Sequence, residues 1–412
     1  MGNDPHEVQE VRRRRVFYIP GYDPIHPRRY RELYRKEGAA QAEISGYDIG
    51  LTPKTTKGPY GWHVSAEMRG AAVEADVEVL VWSDIVRDSM ATSIPATYLQ
   101  LMRTAWEYIA TGALRRLMLL RKGPVIAALY PVGMLLLQLI FALLVGWAVY
   151  AGVQLLRPWL GGVAVLLGLG AWGAVAVLLL RWFKRKDGKL FAYYLMHDYA
   201  YSAQFRGANP PELEARMAAF TETIAEALRS DADEVLVVGH SSGAHLAVSI
   251  LADLIRQGRV PARGPRLAFL SLGQVVPMVS FLRDAYRLRA DLAYLSMRNE
   301  LTWVDVTAPG DGCAFALCDP VAVSGVAPAG KRWPLVFSAQ FTKSLSPERW
   351  KALRWRFFRL HFQYLCAFDR PLDYDYFQIT AGPLSLASRY AERPPSNSRI
   401  DVAVSKFTSV AP

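Results

Sequence analysis

The order of apolar and polar positions along the chain predicts a mixed α/β architecture with a long apolar interruption. Residues 16–19 (Val-Phe-Tyr-Ile) are a short apolar run closed by Pro20-Gly21-Tyr22-Asp23-Pro24, which reads as a strand and a tight turn. Residues 27–41 read as a basic helix. Residues 44–82 are strand-rich: ISGYDIGLTP and GWHVSAEM flank the turn-rich TTKGPYG and predict a hairpin, and residues 76–82 alternate before becoming wholly apolar. From residue 94 to 120 the spacing turns helical, with Tyr98, Leu101, Met102, Ala105, Ile109 and Leu117 on one broad stripe. That stripe is open between a packed helix and one lying on a bilayer.

Residues 124–156 contain no charged side chain, Arg157-Pro158 interrupts, and residues 159–180 are again free of charge. About 20 apolar residues cross a hydrocarbon core, so two transmembrane helices in series are expected. Gly161, Gly162, Gly168 and Gly170 are expected to let them approach closely. Arg115, Arg116, Arg121 and Lys122 precede the pair and Arg181, Lys184, Arg185 and Lys186 follow it, while only Arg157 lies between. The positive-inside rule then puts both outer ends in the cytoplasm. Beyond the pair, the aromatic-rich residues 191–205 read as either a pocket wall or a core segment. Leu213, Met217, Phe220, Ile224 and Leu228 recur at steps of three and four and predict an amphipathic helix.

The chain then carries its sharpest motif. Val235-Leu236-Val237-Val238 is a buried-strand run, followed by Gly239-His240-Ser241-Ser242-Gly243 and, from Ala244, an apolar helix ending at Gly258. A serine in such a turn stands clear of the sheet. Gly239 and Gly243 flank it because side chains there would meet backbone, and the helix directs its first amides at developing negative charge. On these residues the chain resembles the α/β-hydrolase superfamily, its lipase and esterase members in particular. The resemblance covers the strand-rich parts and not residues 90–190. It implies a mostly parallel sheet flanked by helices, with Ser241 as nucleophile followed by an acid and then a histidine. It further implies an oxyanion hole shared between the amide after the serine, Ser242, and one from an early Gly-containing turn. Tyr22, after Gly21, fits that second place, with Pro20 where many relatives carry histidine.

Only His245 and His361 follow Ser241. His245 lies one turn along the departing helix and points away, which leaves His361 as base, after a strand expected at residues 335–341. The acid is expected after the second strand beyond the motif. Strands at residues 266–272 and 301–306 lead to TAPGDGCAF, which makes Asp311 the candidate and Asp305, inside the strand, the runner-up.

The chain has 412 residues, 52% of them apolar, and a formal charge of +11. A basic balance suits nucleic acid or an anionic membrane until its charges are placed. Arg12–Arg15 read as a solvated lead-in to a strand or as contacts to lipid headgroups. Trp350, Lys351, Arg354, Trp355, Arg356, Phe357, Phe358 and Arg359 crowd the approach to His361. Beside a membrane hairpin they read as an interfacial or an ordinary amphipathic helix rather than a nucleic-acid surface. Cys313, Cys318 and Cys366 suit neither a disulfide framework nor a metal site. No metal or cofactor is expected. The first ten residues are polar, so neither a signal peptide nor, at Gly2, lipidation is expected.

The expected organisation is a first hydrolase part (1–90), a juxtamembrane helical segment (91–123), a two-helix transmembrane hairpin (124–181) and a second hydrolase part (182–412). The expected function is a membrane-anchored serine hydrolase with the triad Ser241, His361 and Asp311, acting on a lipid or other ester and facing the cytoplasm, by default at a bacterial inner membrane. An acyltransferase or thioesterase with the same triad, and an inactive scaffold, are the alternatives. The oligomeric state is left unspecified.

Overall fold

The computed structural model describes residues 11–90 and 92–412; the readings made on the first ten residues lie outside them. The strands are β1 Arg13–Ile19, β2 Asp48–Pro53, β3 Gly61–Met68, β4 Ala71–Val79, β5 Glu234–His240, β6 Arg266–Leu272, β7 Leu301–Thr307 and β8 Leu335–Ser338. They form one sheet in the order β2-β3-β4-β1-β5-β6-β7-β8. From β4 to β8 every pairing is parallel, and β2 and β3 are antiparallel additions at one edge. The sequence pattern accounts for this. β5 is buried at every position, as a central parallel strand covered on both faces must be, whereas β3 alternates along its length.

The helices that bear on the site are α1 Arg28–Ser45, α2 Ile94–Ala110, α3 Ala113–Leu120, α4 Lys122–Gln154, α5 Val163–Arg185, α6 Ala192–Ala203, α7 Pro211–Ala227, α8 Gly243–Arg256 and α9 Phe357–His361. One core packs α7 and α8 on the sheet through Met217, Ile224, Leu246 and Ile250. The other face is covered by α1 and the C-terminal region, with Tyr34, Tyr364 and Phe377 among its buried side chains.

α4 and α5 are long and apolar enough to cross a membrane, and only 22% and 17% of their most apolar windows are buried within the protein. An ordinary core helix is mostly buried, and neither of these is. The two pack where glycine admits a side chain: a Cβ on Gly168 would meet Tyr150 Cδ2 at 2.8 Å, and one on Gly146 would meet Trp172 Cδ1 at 2.6 Å. Gly161, Gly162 and Gly170 face open space, so of the four expected glycines only Gly168 serves the contact. At their base the helices rest on protein. Leu135 packs with Leu101 of α2 and with Ala192, Tyr193 and Met196 of α6.

Two further expectations are corrected. The stripe read on residues 94–120 is not a single buried face. Leu101 and Leu117 are buried, but Met102 and Ile109 are 65% and 63% exposed, and Thr104, Glu107 and Tyr108 are buried instead. The helix breaks at Gly112, whose φ is +74°, and the Tyr108 hydroxyl turns inward to donate to the Met278 carbonyl at 2.8 Å. The arginine run is also not uniformly the expected solvated lead-in. Arg13 pairs with Asp231, Arg15 with Glu78, and Arg14 lies fully buried with its Nε 2.7 Å from Glu234 Oε2. Arg14 also donates to the carbonyls of Gly382 and Leu384, both at 2.7 Å, tying β1 to the C-terminal region. Removing one member of a buried pair strands the other charge. Arg14→Met is therefore expected to destabilise the fold by about 3–5 kcal/mol, read as a lower urea midpoint with an unchanged slope.

Candidate active site

β5 delivers His240 and then Ser241, which takes φ +56°, a left-handed conformation that a non-glycine residue rarely adopts. Such a residue stores about 1–3 kcal/mol and persists only where its surroundings hold it. Here the Ser241 amide donates to the Leu272 carbonyl of β6 at 2.9 Å, and the Ser241 carbonyl accepts from the Ala244 amide at 3.1 Å. The flanking glycines are required by space. A Cβ on Gly239 would stand 2.7 Å from Ala244 Cα, and one on Gly243 would stand 2.1 Å from the Ile19 carbonyl oxygen and 2.7 Å from that of Pro20. The turn holding Ser241 is thus pressed against the turn that ends β1. From the other side, a Cβ on Gly21 would lie 3.0 Å from Ser241 Cβ and 3.4 Å from its Oγ.

Both turns open into one cleft, whose lining includes Gly21, Tyr22, Ser241, Ser242 and His361. The Tyr22 and Ser242 amides donate none of the hydrogen bonds made among the described residues. They are available to a ligand atom beside Ser241. The Tyr22 ring is buried in the wall.

His361, at the end of α9, places Nδ1 2.7 Å from Asp311 Oδ2. Asp311 is buried and otherwise saturated: Oδ2 also accepts from the Tyr364 hydroxyl at 3.1 Å, and Oδ1 accepts from the Cys313 amide at 2.9 Å. An acceptor shared by these donors fixes the His361 proton on Nδ1 and leaves the Nε2 lone pair free. The structure therefore brings Ser241, His361, Asp311, Tyr22 and Ser242 to one place. Asp305 is not part of it. It lies buried within β7, bonded to Ser271 Oγ, and burial pushes its carboxyl up to about 8. His245 is half-buried in α8, where desolvation draws its pKa down to about 4.

Three contributors escaped the sequence reading. His240 has its pKa drawn down to about 3, by burial first and by the neighbouring His361 second. Its Nε2 lies 3.0 Å from the His361 carbonyl, so it braces the backbone of the base. Tyr364 ties the acid loop together, since its hydroxyl also accepts from the Ala308 amide at 2.9 Å. Asp198, on α6, lines the cleft alongside Tyr194 and Tyr199, while Ala192, Tyr193, Met196 and Ala200 pack in a core, so residues 191–205 are a pocket wall on one side and a core segment on the other. Tyr364 and Asp198 carry no local motif, and the role of His240, though it sits beside Ser241, shows only in its contact with His361. Each is brought in by long-range packing.

Asp311, Cys313 and His361 bring carboxylate, thiol and imidazole donors within 4.8 Å of one another. Two of the three are bonded to each other. Burial and then the Asp311 charge raise the Cys313 thiol well above its ordinary value, which keeps it protonated. The set fits a hydrogen-bonded pair better than a metal centre.

The apolar pair reaches this site directly. Gly123, in the first turn of α4, packs on the acid loop so closely that a Cβ there would meet Gly312 Cα at 3.2 Å. Arg121 donates to the Ala316 carbonyl at 2.7 Å, and Pro124 lines the cleft. Among known proteins, no family model, no curated protein and no solved structure matches the chain.

Proposed function

We propose that the chain is a serine hydrolase of the α/β-hydrolase type that cleaves an ester, with α4 and α5 inserted in a membrane as a hairpin. The observation that carries this reading is the shared cleft: a serine at φ +56° after a parallel strand, and a His361–Asp311 pair at 2.7 Å. The chemistry follows from the residues in place. His361 Nε2 accepts the Ser241 hydroxyl proton as Oγ forms a bond to the ester carbonyl carbon. The carbonyl π electrons move onto oxygen, and the Tyr22 and Ser242 amides donate to that oxyanion. The tetrahedral species collapses, and His361 returns the proton to the departing alcohol. Water then repeats the cycle on the acyl-serine and releases the acid.

The membrane part rests on exposed apolar surface. Leu137, Ile140, Leu144, Trp147, Leu166 and Leu169 on α4 and α5 are exposed. A patch of that size is unfavourable in water and favourable in hydrocarbon. Both outer ends carry the basic residues, which supports a cytoplasmic sheet. With the cleft opening beside Pro124 at the base of α4, a lipid ester is the substrate held nearest the serine.

A fluorophosphonate probe tests the reading whatever the natural ester is, because it reacts with any activated serine. The detergent-solubilised chain is expected to gain one probe adduct, and peptide mass spectrometry is expected to place it on Ser241. An adduct on another residue, or none on folded protein in detergent and in liposomes alike, overturns the proposal.

A further inference from the structure

The part of the cleft lined by α6 has no part in the acyl-transfer steps, and its chemistry is one-sided. Its lining includes Asp23 and Asp198 and, among the described residues, no lysine or arginine. Asp23 is neutralised, with Arg29 Nη1 at 2.9 Å and the Tyr30 hydroxyl donating to the same oxygen. Asp198 receives no hydrogen bond and forms no ion pair among the described residues. Burial pushes its carboxyl up to about 7, against a downward pull from His361. An enclosed acid without a partner is unfavourable, and a ligand that supplies the missing positive charge relieves that.

Aromatic rings line the cleft beside this acid, and apart from Tyr199 the tyrosine hydroxyls there are committed elsewhere. Tyr108 gives its proton to the Met278 carbonyl, Tyr194 to the Tyr22 carbonyl and Tyr30 to Asp23. Ser89 gives its own proton to the Val86 carbonyl, so in the Tyr22–Ser89 bond Tyr22 is the donor. The hydroxyl hydrogens of all four are held by the chain, and the tyrosines offer the cleft their rings. Aromatic faces grouped with an uncompensated carboxylate suit an organic cation. The absence of cationic lining disfavours a phosphate or a free carboxylate at the same spot.

We propose that this side of the cleft binds an alkylammonium group, so that the ester taken by Ser241 carries a cationic amine or quaternary ammonium in its alcohol part, seated against Asp198. The substrate assignment rests on Ser241 being the nucleophile; the cation site does not. Calorimetry on the full chain in detergent, with choline and its neutral isostere 3,3-dimethyl-1-butanol as probes, separates the two. Wild type is expected to bind choline at least tenfold more tightly than the isostere. Asp198→Asn is expected to abolish that preference by weakening choline alone, and Asp198→Glu to retain part of it. Equal affinity for the two probes in wild type, or no binding of choline, overturns the proposal even if Asp198→Asn fails to fold. A wild-type preference for choline in a protein that takes up no fluorophosphonate keeps the cation site and removes the nucleophile.

Discussion

Asp311→Asn is expected to lower ester hydrolysis about 10⁴-fold, and Ser241→Ala about 10⁶-fold. The first value follows from how Asp311 is held. Its Oδ1 accepts from the Cys313 amide and its Oδ2 from His361 Nδ1. An asparagine keeps its one oxygen toward the Cys313 amide, because the flipped amide would set two donors face to face. Its NH₂ then points at His361 Nδ1 and moves the imidazole proton to Nε2, where the base needs a lone pair. Geometry survives while the tautomer is wrong. The check is kcat on a chromogenic ester, together with the rate of fluorophosphonate labelling, in a variant whose near-ultraviolet dichroism matches wild type. Hydrolysis within tenfold of wild type would remove Asp311 from the mechanism.

Gly243→Ala is expected to cost about 3 kcal/mol or more in stability and to remove activity in whatever protein still folds. The added Cβ would stand 2.1 Å from the Ile19 carbonyl oxygen, 2.7 Å from that of Pro20 and 2.8 Å from Ile19 carbon. All three are backbone atoms, so no rotamer change relieves the contact. Either β1 withdraws from β5 or the turn holding Ser241 does, and both movements separate the Tyr22 amide from the serine. Gly50→Ala is the control: Gly50 lies in β2, and the nearest neighbour of an added Cβ would be at 3.9 Å. Urea unfolding of the two variants is expected to show a large loss for the first and little for the second.

Local patterns carried much of this. The β5 run, the glycine-flanked serine and the Gly-bracketed aspartate are each written in a few consecutive residues, because a buried strand and a tight turn impose their own residue types. His361 was reachable by order along the chain. What stayed hidden depends on which surfaces meet. Arg14 looked like one of four solvated arginines until Glu234 and two carbonyls surrounded it. Gly146 gave no sign that Trp172 packs over it, whereas the more conspicuous Gly161-Gly162 touches nothing. The stripe on α2 failed because apolar residues occur on both its faces, and periodicity alone does not say which face meets protein. Asp198 could not be singled out, since its isolation is a property of its neighbours.

The strand order has a consequence for how the molecule is made. β1 sits between β4, which precedes the two long apolar helices, and β5, which follows them. The ribosome releases β1 to β4 long before β5 exists, so one edge of β1 waits unpaired while α4 and α5 are synthesised. An open apolar edge is a template for the wrong partner. If α4 and α5 enter a bilayer during translation, they tether the unfinished sheet at one spot and shorten the search by which β5 finds β1. Delayed insertion should then appear as aggregation of the nascent N-terminal piece rather than as a soluble, misplaced enzyme.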